Sequence, residues 1–283
     1  MKKTLLTTVA FGLLAGSAST ASFADGHAIN PEQDREKFVA FFQKRYPDVA
    51  VDTYVDGIYA LDADLLLQHE ADEEFPPYED LVAKGEELWN TPFANGKTYA
   101  SCFNKPVEKV RGAYPYYDAQ LKRVETLESA INECRKANGE KPLGWKKGDL
   151  ANISGFLVYS ARGEKINAVV EGKEALAAYQ DGKEFFYVKR GQLNLSCADC
   201  HVYQAGRKAR SNVLSPALGH VSHFPVYRKK WQSLGTLHRR YGGCQKNMRA
   251  QPMKAQSDAY RNMELFHTYM SNGLEFNGPR TRG

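Results

Sequence analysis

The chain has 283 residues, 42% of them hydrophobic and 12% aromatic, with 38 Lys and Arg against 33 Asp and Glu, and five cysteines. That apolar content excludes wholesale disorder, and no run of about 18 apolar residues follows the N-terminus, which excludes a multi-span membrane protein. A formal charge of +5 spread along the chain argues against nucleic acid as the main partner and leaves small anions open.

In chain order, residues 1–24 read as an export signal. Lys2 and Lys3 supply a basic start, Leu5 to Leu14 an apolar stretch, and Ser22-Phe23-Ala24 a small-x-small cleavage site. The apolar stretch is too short to cross a bilayer of about 30 Å. Cleavage after Ala24 and a periplasmic location are expected, in an oxidising compartment where thiols pair or meet a cofactor. Residues 25–75 form an N-terminal extension with few cues beyond Tyr54, Tyr59 and the acidic patch from Glu70 to Glu74. Such a segment wraps the unit after it or faces a partner.

Residues 76–168 open on an amphipathic helix expected near Tyr78 to Trp89 and close on another near Asp149 to Ser160. Residues 169–283 repeat the plan, with helices near Lys173 to Tyr187 and Ala255 to Ser271. On the last of these, Tyr260, Met263, Phe266, Tyr269 and Met270 form an apolar stripe at three- and four-residue spacing. Between the second pair of helices lies Cys197-Ala198-Asp199-Cys200-His201, a C-x-x-C-H run. Two thiols one helical turn apart reach the two vinyl groups of one porphyrin edge, and the adjacent imidazole binds the iron. One such run predicts one covalently bound c-type haem, attached by Cys197 and Cys200 with His201 as axial ligand.

The two halves are copies. A slide of 110 residues puts Leu127 on Leu237, Cys134 on Cys244, Pro142 on Pro252, Phe156 on Phe266, Tyr159 on Tyr269 and Gly163 on Gly273. Upstream, after a gap, Gly85 to Trp89 matches Gly182 to Phe186, and Ser101-Cys102 matches Ser196-Cys197. The fold class is therefore mostly α: two tandem cytochrome c-like domains related by an internal repeat, of which only the C-terminal one binds haem. In the first copy, Phe103, Asn104, Lys105 and Pro106 follow Cys102, so the second thiol and the histidine are missing. Cys102 and Cys134 occupy the positions that attach and face the haem in the second copy. With the haem gone they can approach, and a disulfide between them is expected, two buried free thiols being the alternative.

Cys244 is then left over. It ends the run His238-Arg239-Arg240-Tyr241-Gly242-Gly243-Cys244, in which glycines permit close approach to a bulky group and arginines favour thiolate. The first copy has Ser129 and Ala130 where the second has Arg239 and Arg240, so the charge accompanies the haem. For the distal position on iron, Cys244 leads. Met248, Met253, Met263 and Met270, and His220, His223, His238 and His267, are the alternatives. A methionine there suits plain electron transfer, because it raises the potential.

Taken together, the haem run, the arginine pair before Gly-Gly-Cys, the degenerate first copy and the stretch Asp56-Gly57-Ile58-Tyr59-Ala60-Leu61-Asp62 resemble the SoxA family. These are the catalytic subunits of SoxAX cytochromes of periplasmic thiosulfate oxidation. Lys105 and Pro106 depart from members with two haems and resemble the single-haem type. The resemblance implies an L-cysteine S-thiosulfotransferase that joins thiosulfate oxidatively to a cysteine of the SoxY carrier, with electrons leaving through c-type haem. It gives Cys244 the roles of axial ligand and catalytic residue passing through a persulfide, and Arg240 the role of substrate-binding group. It also implies a heterodimer with SoxX, a small monohaem cytochrome, and docking of SoxYZ. Arg239 is the weaker anion-binding candidate, and Arg249 and Lys246 read as solvated charge. The second reading is a periplasmic monohaem cytochrome c acting only in electron transfer or docking.

Overall fold

The structure, a computed structural model, describes residues 29–209 and 212–283; the expected export signal lies outside them. Helix α1 (Pro31–Arg45) opens where the Asn30 side chain accepts the Gln33 N–H at 3.0 Å and Pro31 takes the first turn. A 3-10 segment (Val51–Ala60) follows, broken at Gly57, whose φ of 65° suits glycine. Helix α2 (Ala63–Glu74) is capped by Asp62, which accepts the Leu65 N–H at 3.0 Å.

The first repeat runs through α3 (Glu79–Asn90), the short α4 (Ala100–Phe103) and α5 (Val107–Val110), the hairpin β1 (Tyr116–Asp118) and β2 (Arg123–Glu125), then α6 (Leu127–Ala137) and α7 (Asp149–Ser160). The second has α8 (Lys173–Tyr187), a helical turn of wide pitch (Asp199–Tyr203), and a ladder of β3 (Lys208–Ala209) with β4 (Asn212–Val213). The hairpin β5 (Val226–Arg228) and β6 (Ser233–Gly235), α9 (Leu237–Asn247) and α10 (Asp258–Tyr269) complete it. Strand β7 (Thr281–Arg282) adds in parallel to β5. Each long hairpin is preceded by a cis proline, Pro115 and Pro225. The last helix is shorter than the expected Ala255 to Ser271. Gln256 adopts φ 63° and its N–H donates to His238 Nδ1 at 3.0 Å, so the helix begins only at Asp258.

In each unit the first and last long helices cross at a glycine. A Cβ on Gly85 would lie 2.1 Å from the Asn152 carbonyl oxygen, and one on Gly182 would lie 2.0 Å from that of Asn262. No side chain fits at either crossing, which explains why this pair survives in the repeat. The units also exchange hairpins. Val124 of β2 is buried in the core of the second unit, and Leu234 of β6 in that of the first. Arg261 on α10 fixes the exchange by donating to the Val124 carbonyl at 2.8 Å and approaching Glu125 at 3.3 Å. The extension packs on the second unit, with Phe38, Phe42 and Tyr54 buried in its core. An Asp34–Lys183 ion pair at 2.7 Å and a Tyr46 hydroxyl bond to the Ala205 carbonyl at 2.5 Å hold it there.

Candidate haem and thiol site

The C-x-x-C-H run starts its turn with a reciprocal cap. Ser196 donates to the Asp199 carboxylate through its N–H (2.8 Å) and hydroxyl (2.9 Å), and its Oγ accepts the Asp199 N–H at 3.0 Å. That cap sets Cys200 and His201 on the short turn Asp199–Tyr203, with Cys197 just before it. All three of Cys197, Cys200 and Cys244 are unbridged and partly buried. Burial first, and then the charge of Cys244, pushes Cys197 up to about 12 and raises Cys200 as well. The three thiols thus converge although Cys244 comes from a separate helix.

His201 Nδ1 lies 2.8 Å from the Ser215 carbonyl oxygen. A carbonyl only accepts, so the ring proton sits on Nδ1 and Nε2 keeps its lone pair for a metal. Helix α9 brings Cys244 near that imidazole, which favours the thiolate form. Burial pushes the Cys244 thiol up. The Arg240 guanidinium, the His201 imidazole and Arg228 outweigh it and bring the thiol down to about 6. An imidazole nitrogen and a thiolate sulfur in one neighbourhood, with two further unbridged thiols, make a donor set that fits a c-type haem.

Arg240 lies one helical turn before Cys244, and among the described residues its side chain forms no ion pair. Its neighbour Arg239 turns elsewhere, with its guanidinium 3.9 Å from the Trp231 ring centre and a bond to Ser233 Oγ at 3.2 Å. The alternatives for the distal position are placed differently. His238 meets the Glu264 carboxylate at 3.0 Å, and His267 is held between the Tyr241 hydroxyl and the Ala217 carbonyl, both at 3.2 Å. His220 packs 4.7 Å from the His201 ring, and His223 packs 5.9 Å from His220. Met248 and Met270 are buried, Met253 is exposed, and Met263 Sδ lies 4.0 Å from Cys197 Sγ. Lys246 and Arg249 are exposed.

In the first unit, Cys102 and Cys134 form a disulfide, S–S 1.99 Å, with Cα atoms 5.8 Å apart. Ser129, at the register of Arg239, caps α6: its hydroxyl accepts the Thr126 N–H at 3.0 Å. Two residues of the second unit escape a reading by motif. Ser215 orients His201 through its backbone, which carries no sequence signal. Arg228 sits 16 residues before Cys244, and only its register against Asp118 of the first copy singles it out.

The chain matches the family model described as SoxA/TsdA, cytochrome c domain, in two segments, residues 84–166 and 181–276. It is 50% identical to the L-cysteine S-thiosulfotransferase subunit SoxA of Chlorobaculum tepidum, with 100% of both chains covered. To the protein of the same name from Allochromatium vinosum it is 46% identical, covering 90% of this chain and 91% of that one. Among solved structures, the crystal structure of SoxXA from P. pantotrophus superposes with a TM-score of 0.67 at 30% identity, covering 74% of this chain and 79% of that chain.

Proposed function

Because this chain belongs to the SoxA family of c-type cytochromes, we propose that it is the subunit of an L-cysteine S-thiosulfotransferase in which thiosulfate is conjugated to a cysteine of a carrier protein. The overall change is S₂O₃²⁻ + R–SH → R–S–S–SO₃⁻ + H⁺ + 2e⁻, where R–SH is the carrier thiol. Cys197 and Cys200 would tether one haem, and His201 Nε2 and Cys244 Sγ would hold its iron. That haem would supply one-electron redox chemistry, with a SoxX-type monohaem cytochrome as the partner that takes the electrons.

The chain's own residues do the rest. Arg240 offers a planar fork of donors to the oxygens of a small dianion and fixes its orientation. The Cys244 sulfur accepts the outer sulfur of thiosulfate as the electrons leave, giving Cys244–S–S–SO₃⁻. A carrier thiolate then attacks the sulfur that bears the sulfonate, and the Cys244 thiolate departs. Positioning of the sulfur beside a fixed cation supplies most of the acceleration in such a site. Persulfidation of Cys244 lengthens this arm by one sulfur and leaves the balance unchanged. SoxYZ is the carrier that the family name implies, and export to the periplasm places the chain with it.

The observation that supports this reading above the others is the thiol of Cys244, brought down to about 6 beside Arg240 and facing His201. The test is Cys244→Ala in the purified holoprotein with its cytochrome partner. Conjugation of thiosulfate to the carrier disappears while covalent haem remains, and the low-spin ferric EPR signal of thiolate ligation is lost. Conjugation at the wild-type rate in that variant would move the nucleophile elsewhere.

A further inference from the structure

Three hydrogen bonds join the helix that carries Cys244 to the backbone of His201. The Tyr241 hydroxyl, three residues before Cys244 on α9, lies 3.2 Å from His267 Nδ1. On the other side of that ring, Nε2 lies 3.2 Å from the Ala217 carbonyl oxygen. Ala217 in turn donates its N–H to the His201 carbonyl at 2.8 Å. The directions are fixed by chemistry. A carbonyl only accepts, so the ring proton sits on Nε2. Burial pushes the imidazole down to about 4, so the ring is neutral and Nδ1 accepts the Tyr241 O–H.

Every member is shut away from water: Tyr241 is 8% exposed, His267 3% and Ala217 0%. Buried polar groups cost stability unless they are paired, and these find their partners in one another. The Ala217 carbonyl also accepts the His220 N–H at 3.1 Å, and the Ser215 hydroxyl meets His220 Nε2 at 2.9 Å. Residues 215–220 are thereby held as one piece, and that piece supplies the carbonyl that accepts the proton of His201 Nδ1. Helix α10, through His267, fixes its distance from α9. With its proton and its lone pair both engaged, His267 has nothing left to offer a metal.

The repeat supplies an independent comparison, and it shows that folding alone does not call for these bonds. In the same 110-residue register, Tyr241 falls on Ile131 and His267 on Leu157. Both of those side chains are fully buried in the core of the first unit. An isoleucine and a leucine therefore fill the same two places in the unit whose thiols are closed as a disulfide. The hydroxyl and the imidazole occur only in the unit that carries His201 and Cys244.

We propose that His267 is a positioning residue: bonded to Tyr241 on one side and to Ala217 on the other, it sets the spacing between the His201 imidazole and the Cys244 sulfur. This rests on the function proposed above and adds a residue to it. The test compares wild type, Tyr241→Phe, His267→Leu and His267→Gln as holoproteins with the cytochrome partner. It measures the ferric EPR spectrum, the midpoint potential, haem content, and KM and kcat for thiosulfate conjugation. Tyr241→Phe removes one oxygen, and His267→Leu installs the residue of the first unit. Each keeps covalent haem and thiosulfate KM, shifts the low-spin EPR signal and the potential, and lowers kcat by about two- to tenfold, as loss of one such bond implies. His267→Gln, which keeps an N–H toward Ala217, recovers part of the change. An EPR signal and a potential at wild-type values in Tyr241→Phe and His267→Leu overturn the proposal. Where His267→Leu fails to hold haem, the same two readings in Tyr241→Phe decide it alone. Wild type that shows thiolate ligation without conjugation defeats the transferase reading, while the spectra still decide His267. Wild type without the thiolate signal removes Cys244 from the iron and defeats this proposal with it.

Discussion

Cys244 and Arg240 share one face of α9, and four residues of helix bring a cation to a sulfur without help from any loop. Two outcomes follow at this scale. Arg240→Ala removes the largest cause that lowers the Cys244 thiol. Thiosulfate KM is then expected to rise by about tenfold or more at constant haem content, read by steady-state kinetics and the pyridine haemochrome assay. The second concerns pH. A thiol lowered to about 6 is thiolate above that value and protonated below it. Conjugation rate in wild type should fall as pH drops through about 6, and the Arg240→Ala profile should move to higher pH. A profile that stays in place would separate the arginine from the state of the sulfur.

The elements themselves are held by two devices, one in each kind of contact. At the helix crossings, the Asn152 and Asn262 carbonyls occupy the space that a methyl group would need on Gly85 and Gly182. Backbone atoms do not swing aside, so Gly85→Ala and Gly182→Ala should each cost about 1–3 kcal/mol through forced separation of the pair. Thermal melts measure the loss, and a variant with unchanged Tm would show that the crossing is looser than this. The other device is the Cys102–Cys134 bridge, which closes a loop across a sequence separation of 32 residues. A loop of that length corresponds to about 3–4 kcal/mol of chain entropy. Cys102→Ser with Cys134→Ser should lower stability by that order and leave haem attachment intact, as read by denaturant titration and intact mass.

Over the whole molecule, the exchange of Val124 and Leu234 between cores makes the two units one cooperative body. A buried polar cluster lies along the same seam: Glu128 on α6, Arg111, and Glu264 and His238 across the interface. Burial, and next the charge of Glu264, raises the Glu128 carboxyl above its ordinary range, while Arg111 and His238 act against that rise. A raised carboxyl binds its proton more tightly when folded. The stability it contributes is complete below the unfolded carboxylate range and erodes as pH climbs through the raised value. Glu128→Gln should therefore flatten the decline of Tm between acid and neutral pH, and a decline as steep as that of wild type would place its origin elsewhere.

How much of this was legible beforehand divides by range of contact. The C-x-x-C-H turn, the arginine pair before Cys244, the repeat and the four long helices with periodic apolar faces all show in the sequence. Each is set within a few residues of itself, by spacing, periodicity or a cap. The repeat also carried long-range information, because Cys102 and Cys134 inherit their nearness from the positions of Cys197 and Cys244. What only the tertiary structure decided is which distant groups meet. The extension lies on the second unit because Phe38, Phe42 and Tyr54 find their partners there, and nothing local to residues 25–75 names that surface. Ser215 orients His201 with a backbone carbonyl, a group that every residue possesses. Arg228 meets the Trp231 ring and the Gly283 oxygen, two partners that no local pattern names. Periodicity records which face of an element is apolar; it does not record what covers that face, since burial is a non-directional gain that many partners satisfy and packing alone selects one.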